Sequence, residues 1–155
     1  MILRGAERAD GAGLVAIEAA CFGPAERFST RQVRGLIDNP RARVIVAEQA
    51  GAIVGWAAAL VRERAASRSG RVYSVAVDPA CEGRGVGRGL TTAVLAALED
   101  AGVRRVYLEV RVGNDRAIGL YRSLGFVQVR SLGDYYGPGA DGLRMRREVS
   151  GGAGR

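Results

Sequence analysis

The sequence contains no histidine and no lysine, so all 23 of its basic residues are arginines. Without histidine the chain can form neither a Ser-His-Asp nor a Cys-His nucleophile system, and it has no imidazole to bind a metal. Without lysine it can form neither a Schiff base nor a phosphate loop of the Walker type. Proton transfer must therefore fall to Asp, Glu, Tyr, Cys or water.

Cysteine is also scarce. Cys21 and Cys81 are too few for a disulfide framework or a cysteine-rich zinc site, so we expect no bound metal. No apolar run reaches the roughly 18 residues that a membrane span requires. The first ten residues alternate between apolar and charged types, unlike a secretory signal. We therefore expect a cytoplasmic protein that has no membrane partner.

The chain has 155 residues, of which 48% are hydrophobic, and this predicts one domain with a substantial core. We expect this domain to span residues 1–149 and the glycine-rich residues 150–155 to be disordered. The net charge of +7 favours an anionic partner, which could be a nucleic acid, an anionic cofactor or an acidic protein.

Apolar periodicity predicts alternating strands and helices. Strands are predicted at residues 1–4, 43–47, 53–60, 71–77, 105–110, 126–132 and 143–149. Helices are predicted to begin at Asp10, at a Ser29–Gln32 capping box, after residue 88, and at Asn114. Residues 62–70 are predicted to form a polar loop. This order, with hairpins first and strand–helix alternation later, predicts a mixed α+β fold.

A loop rich in glycine and arginine precedes the third helix. It consists of Gly83, Arg84, Gly85, Val86, Gly87, Arg88 and Gly89. Its glycines allow the backbone to approach a ligand, and its amides and arginines can surround a pyrophosphate at the positive end of the helix. The spacing matches neither the dinucleotide fingerprint nor the Walker motif. The alternative is a flexible glycine turn with incidental arginines.

Two sets of motifs resemble a known family. Residues 75–79, followed by Arg84-Gly-Val-Gly-Arg-Gly89, resemble the Arg/Gln-x-x-Gly-x-Gly/Ala motif of the GNAT acyltransferase superfamily. Residues 108–114, 117–126, 134–136 and 140–145 are similar to its ribosomal-protein alanine N-acetyltransferase branch. The resemblance implies a mostly antiparallel mixed sheet of about seven strands flanked by about four helices. It also implies an enzyme that transfers an acetyl group from acetyl-coenzyme A directly to an amine.

The same resemblance implies where the coenzyme binds. Its pyrophosphate would lie on the loop, and its pantetheine arm would lie along the strand at residues 75–77, where a main-chain N–H faces the thioester oxygen. The implied coenzyme-binding residues are Val75, Ala76, Val77, Gly83, Arg84, Gly85, Val86, Gly87, Arg88, Gly89, Asn114 and Tyr121. No metal is implied.

The resemblance also assigns the catalytic residues. Glu109 would accept the proton of the amine through water, and Tyr121 would protonate the departing thiolate. From the residues alone, Glu109 could instead be a surface carboxylate paired with Arg105 or Arg111. Tyr121 could be an ordinary amphipathic core residue.

The nature of the acceptor is less specified. An α-amino group is roughly 10% neutral at pH 7, against about 0.04% for a lysine side chain, so a protein or peptide N-terminus needs less assistance from a base. The alternatives are a small amine (a polyamine, amino sugar or amino acid) and a non-catalytic nucleic-acid-binding module. The arginines are spread along the chain, which argues against nucleic acid. A monomer and a homodimer both remain compatible with the sequence. Residues 22–28, which border the acceptor groove in the family, lack the Pro-Trp of the alanine N-acetyltransferase branch.

Overall fold

The computed structural model describes residues 1–65 and 67–149, so the predicted disordered tail, 150–155, lies outside the described residues. The elements in chain order are β1 (Ile2–Gly5), α1 (Gly11–Cys21), α2 (Thr30–Asp38), β2 (Ala42–Gln49), β3 (Ala52–Arg64), β4 (Ser67–Val77), α3 (Val86–Asp100), β5 (Arg105–Arg111), α4 (Asp115–Ser123), β6 (Val127–Leu132) and β7 (Gly142–Glu148). Within the described ranges these seven strands form one sheet in the order β1-β2-β3-β4-β5-β7-β6. Neighbouring strands are antiparallel except for β4 and β5, which confirms the mixed, mostly antiparallel α+β fold.

The helix starts follow local side-chain chemistry. At α2 the capping box is confirmed, because the Gln32 N–H donates to Ser29 Oγ at 3.1 Å and the Ser29 N–H donates to Gln32 Oε1 at 2.8 Å. Asn114 Oδ1 accepts from the third residue of its helix at 3.2 Å. Asp10 precedes α1 as predicted, but its carboxylate does not cap that helix. It accepts instead from Arg4 at 2.8 Å and from the Glu7 N–H at 2.7 Å.

The predicted polar loop at residues 62–70 is wrong. β3 runs to Arg64 and β4 begins at Ser67, so these residues form the end of a long hairpin. Arg62 pairs with Ser69 across it. Both strands extend into solvent at this end, so polar side chains can occupy both faces, and the alternating pattern that marks a half-buried strand is lost.

Two apolar clusters cover the two faces of the sheet. β3 divides its side chains between them, with Trp56 packing towards α1 and α2 and Ala57 packing towards α3. Both residues are fully buried. The cluster under α1 and α2 includes residues of β2, β3 and β4 but no described residue of β5 or β7. On the face of the sheet that carries α1 and α2, β5 and β7 are therefore not covered by this apolar cluster.

The sheet opens between β4 and β5. Their parallel ladder joins only Ser69–Val72 to Arg105–Leu108. Beyond this ladder β4 continues to Val77 while remaining paired with β3, and β5 continues to Arg111 while remaining paired with β7. The two strands diverge here, and main-chain groups of β4 that do not bond to β3 face the opening.

Candidate active site

A cavity of about 490 Å³, here called the loop cavity, lies between the end of β4, the start of α3 and α4. It is lined by Cys21, Phe22, Val75, Ala76, Val77, Cys81, Glu82, Gly83, Gly85, Val86, Gly87, Arg88, Asn114, Arg116, Ala117, Leu120 and Tyr121. The structure thus brings ten of the twelve predicted coenzyme-binding residues to one cavity. The other two, Arg84 and Gly89, do not line it. A Cβ on Gly89 would lie 3.2 Å from Met1 Cε, which places this residue towards β1.

The backbone of the loop presents donors to this cavity. Gly85 is the N-cap of α3 and has a φ of +81°, a left-handed conformation that favours glycine. The first amides of α3 have no carbonyl partner within the helix, because the i→i−4 pattern begins when the Gly89 N–H bonds to the Gly85 carbonyl at 3.0 Å. Arg88 also lines this cavity, and its guanidinium donates to Ser123 Oγ at 2.8 Å. Together these groups form an anion-binding concavity.

A second cavity of about 340 Å³, here called the inner cavity, continues from the loop cavity through the split in the sheet. It is lined by Glu18, Cys21, Phe22, Glu26, Phe28, Val72, Tyr73, Ser74, Val75, Leu108, Glu109, Val110, Arg111, Asn114, Ala117, Tyr121 and Tyr136. The residues shared by both linings include Val75, Asn114 and Tyr121. Two ligands could therefore meet at this junction.

Tyr121 lies at the junction of the two cavities. It is 8% exposed, and its ring packs edge-on against Phe126. Its hydroxyl makes no hydrogen bond with any described residue. Burial raises the pKa of this phenol to about 12. The hydroxyl is therefore protonated at neutral pH and available as a donor to a ligand.

Glu109 lies on the wall of the inner cavity, where arginines engage both of its oxygens. Oε1 accepts from Arg71 Nε at 2.9 Å, and Oε2 accepts from Arg144 Nε at 2.9 Å. Its partners are thus not Arg105 or Arg111, the two that the sequence suggested. The side chain is only 7% exposed. A proton that reaches Glu109 must share its oxygens with two guanidinium groups.

Sequence reasoning missed Glu18. This residue of α1 is 1% exposed, and its carboxylate accepts from the Phe28 N–H at 2.9 Å, Trp56 Nε1 at 3.1 Å and Ser74 Oγ at 2.9 Å. It therefore ties the segment after α1 to β3 and β4, and it adds a negative charge to the wall of the inner cavity. The available signal was a carboxylate within an otherwise apolar helix.

Other unpredicted contacts complete the wall. Arg111 forms an ion pair with Glu26 and lies 4.9 Å above the ring of Tyr136. Burial raises the pKa of Tyr136 to about 12. The Cys21 thiol donates to the Val77 carbonyl at 3.1 Å. Burial, followed by the charge of Glu18, raises the pKa of that thiol, which makes it a weak nucleophile.

A third cavity, of about 730 Å³, lies between the end of the β3–β4 hairpin, β5 and β7, and it is here called the arginine cavity. It is lined by Arg62, Arg64, Ser67, Arg68, Ser69, Gly70, Arg71, Arg104, Arg105, Tyr107, Glu109, Arg144 and Glu148. Glu109 lines both this cavity and the inner cavity. The arginine cavity therefore adjoins the candidate active site at Glu109, which forms a wall of both cavities.

In residues 1–65 and 67–149, no cluster of three or more His, Cys, Asp or Glu side chains could hold a metal ion. No helix in the same ranges is long and apolar enough to cross a lipid bilayer.

Comparison with known proteins places this geometry in context. The model of the acetyltransferase (GNAT) family matches residues 12–126. The chain is 36% identical to the N-alpha-acetyltransferase RimI of Mycobacterium tuberculosis, over 91% of this chain and 88% of that protein. It is 42% identical to the [ribosomal protein bS18]-alanine N-acetyltransferase of Escherichia coli K12, over 46% of this chain and 47% of that protein.

The fold is also found in solved structures. A crystal structure of the ribosomal-protein-S18-alanine N-acetyltransferase from Escherichia coli superposes with a TM-score of 0.80 and 26% identity. The match covers 96% of this chain and 93% of that one. The similarity thus extends over nearly the whole chain, including both sides of the split sheet.

Proposed function

The chain belongs to the acetyltransferase (GNAT) family, and from this premise we propose that it acetylates the N-terminal α-amino group of a protein or peptide, with acetyl-coenzyme A as donor. The observation that carries the proposal is the meeting of the loop cavity and the inner cavity at Tyr121. The relative from Mycobacterium tuberculosis, named as an N-alpha-acetyltransferase, supports this acceptor. We also propose that the enzyme acts in the cytoplasm.

The loop cavity fits the coenzyme. Gly83 and Gly85 line this cavity, and no atom lies within 4 Å of a Cβ built on either, so the space beside their backbone is open to a pyrophosphate. The first amides of α3 and the guanidinium of Arg88 supply donors for anionic oxygens. Along β4, the segment from Val75 to Val77 presents main-chain groups to the split. We assign these to the pantetheine arm and to the thioester oxygen.

The inner cavity fits an ammonium group. Its lining holds three carboxylates, Glu18, Glu26 and Glu109, and the carboxylate of Glu18 is the one whose hydrogen-bond partners are all neutral, so its charge favours a cation. Acetyl-coenzyme A supplies the acyl group, activated as a thioester. In the proposed reaction Glu109 accepts the amine proton through water, and the Tyr121 hydroxyl donates towards the departing sulfur.

The test is an acetylation assay on matched peptides. One peptide has a free N-terminus, and the other has the same sequence with an acetyl-blocked N-terminus. We expect thiol release and the addition of one acetyl group, detected by mass spectrometry, with the free peptide alone. Because the chain has no lysine, the enzyme itself offers only its own N-terminus as a competing amine.

The proposal has two separable ways to fail. Turnover of polyamines, amino sugars or amino acids without turnover of any peptide would assign the enzyme to small amines. No turnover with any amine, together with no coenzyme binding by calorimetry, would contradict acetyl transfer altogether.

A further inference from the structure

The arginine cavity carries an excess of positive charge. Its lining contains seven arginines and two glutamates, which gives it a net charge of +5. Glu109 is already shared by Arg71 and Arg144, and Glu148 binds Arg105 at 2.9 Å. Three arginines of the lining therefore use both of its carboxylates, and a fourth, Arg68, pairs with Glu63 outside the lining.

Three arginines of the lining are without a carboxylate partner in the part of the chain that the structure describes. These are Arg62, Arg64 and Arg104, and all three are exposed. Arg62 donates to the Tyr73 hydroxyl at 2.9 Å, a neutral group that leaves its charge uncompensated. Guanidinium groups bind carboxylates in a planar, often bidentate geometry. The cavity thus offers unused sites for an acidic ligand.

The position of the cavity suggests which ligand reaches it. The inner cavity adjoins the loop cavity at Tyr121, and it adjoins the arginine cavity at their one shared wall residue, Glu109. If the coenzyme fills the loop cavity, an acceptor whose amine lies in the inner cavity can extend past Glu109 over the arginines. An extended chain advances about 3.3 Å per residue, so the residues just after the N-terminal one would lie there.

We infer that the arginine cavity selects acceptors whose residues after the N-terminal one carry Asp or Glu side chains. This inference rests on the proposed N-terminal acetylation. A polyanionic nucleic acid is the competing ligand, but Tyr107 is the one aromatic residue in this lining. Nucleic-acid surfaces of this kind combine their positive charge with several stacking aromatics. The position of the arginine cavity next to the inner cavity, across Glu109, favours the acidic peptide.

The first experiment compares three peptides that share the N-terminal residue and differ at the next four positions, which are Glu, Gln or Arg. We expect kcat/KM to be about tenfold higher for the Glu peptide than for the Gln peptide, mainly through KM, as three exposed ion pairs would produce. The preference should shrink as salt is added. Equal turnover of the three peptides, or a preference for Arg, would overturn the inference while leaving N-terminal acetylation intact.

The second experiment removes the unpaired charges. In the triple variant Arg62→Gln, Arg64→Gln, Arg104→Gln, we expect the ratio of kcat/KM between the Glu and Gln peptides to fall towards one. The matched control replaces three other exposed arginines, Arg34→Gln, Arg122→Gln and Arg130→Gln, which lie on α2, α4 and β6. This control makes the same change in net charge and should keep the preference. If both variants lose it equally, the preference arises from overall charge, and the cavity is not its source.

A competition experiment addresses nucleic acid. A short single-stranded RNA is added to the reaction with the Gln peptide, in wild type and in the triple variant of the cavity. The inference predicts no inhibition that depends on these three arginines. Inhibition in the wild type that the triple variant relieves would reassign the cavity to nucleic acid and overturn the inference.

Discussion

Glu109 is a carboxylate with little freedom, because Arg71 on β4 and Arg144 on β7 bind both of its oxygens. The two ion pairs fix its position across the split in the sheet. They also require that an incoming proton compete with guanidinium donors. The role of Glu109 in proton transfer stays a prediction that kinetics can decide.

We predict that Glu109→Gln lowers kcat by about 10²-fold or more, because the amide keeps the size of the side chain but cannot accept a proton. The KM for acetyl-coenzyme A should change by less than about twofold, since Glu109 does not line the loop cavity. Steady-state kinetics with a free-amine peptide measures both constants. Glu99→Gln, on the exposed surface of α3, is the matched control. A parallel rise in the KM for acetyl-coenzyme A would indicate a structural role instead.

Burial of the Tyr121 phenol makes the folding stability depend on pH. Its pKa is raised to about 12 in the folded protein, from 10.0 in a model phenol. The folded state therefore holds this proton at pH values where the unfolded state has lost it. The stabilisation is complete below pH 10 and is lost as the pH rises towards 12.

We predict that wild type loses about 2 kcal/mol more folding free energy than Tyr121→Phe between pH 9 and pH 11.5, because the variant has no phenol to ionise at this position. Urea unfolding at the two pH values measures the difference. Tyr136, whose pKa is also raised, remains in both proteins and cancels. Equal losses in the two proteins would show that the hydroxyl of Tyr121 is well solvated.

At Glu18 we predict an effect on stability, because the carboxylate is buried and all three of its hydrogen-bond partners are neutral donors. In Glu18→Gln one acceptor oxygen becomes an NH₂ group that faces a donor. We expect a loss of about 1–3 kcal/mol of unfolding free energy, the cost of leaving a buried polar group unpaired. Thermal and urea unfolding measure it. A Glu99→Gln protein, changed at an exposed position, should unfold like wild type.

At the scale of elements, the helix starts and strand ends that could be predicted are those that depend on residues close together in the sequence. The capping box of α2 involves residues three apart, and β4 ends at Val77, the predicted last residue of that strand. The end of the β3–β4 hairpin was missed because its polar residues carry no periodic signal. The chemistry of Asp10 was missed because its partner, Arg4, lies on β1 rather than on the helix that Asp10 precedes.

The role of Gly85 in coenzyme binding can be tested by comparison with a glycine of similar φ in another turn. Gly85 has φ +81° and Gly51, in the β2–β3 turn, has φ +79°, and neither has an atom within 4 Å of an added Cβ. We predict that Gly85→Ala and Gly51→Ala each lose about 1–2 kcal/mol of stability from the left-handed backbone. Only Gly85→Ala should also raise the KM for acetyl-coenzyme A, because Gly85 alone of the two lines the loop cavity. Equal KM values would remove Gly85 from the coenzyme site.

At the scale of the whole molecule, the site is assembled from distant parts of the chain. Ser74 meets Glu18 across 56 residues, and Arg71 meets Glu109 across 38. Such pairings follow from sheet order and strand register, which composition and periodicity do not encode. Family resemblance implied Glu109 and Tyr121, but it did not imply Arg71 and Arg144, which reach Glu109 because of how the strands of this chain are paired.

Because the loop cavity is built from both sides of the split, coenzyme binding should stabilise the entire fold. At about 100 times Kd we predict a gain of about 2.7 kcal/mol and a rise in Tm of roughly 5–10 °C. Differential scanning calorimetry with and without coenzyme A measures the shift. Gly85→Ala should show a smaller rise at the same ligand concentration. A shift that is the same in both proteins would indicate binding away from the loop.

The ladder between β4 and β5 is the only pairing in the described sheet that joins strands before α3 to strands after it. Each piece of a chain cut at the exposed turn of Gly102 would keep its own run of antiparallel strands. One piece would carry the glycine-arginine loop, and the other would carry Glu109 and Tyr121. We expect neither piece to acetylate alone, so the division offers a split enzyme whose activity reports that two fused partners have come together.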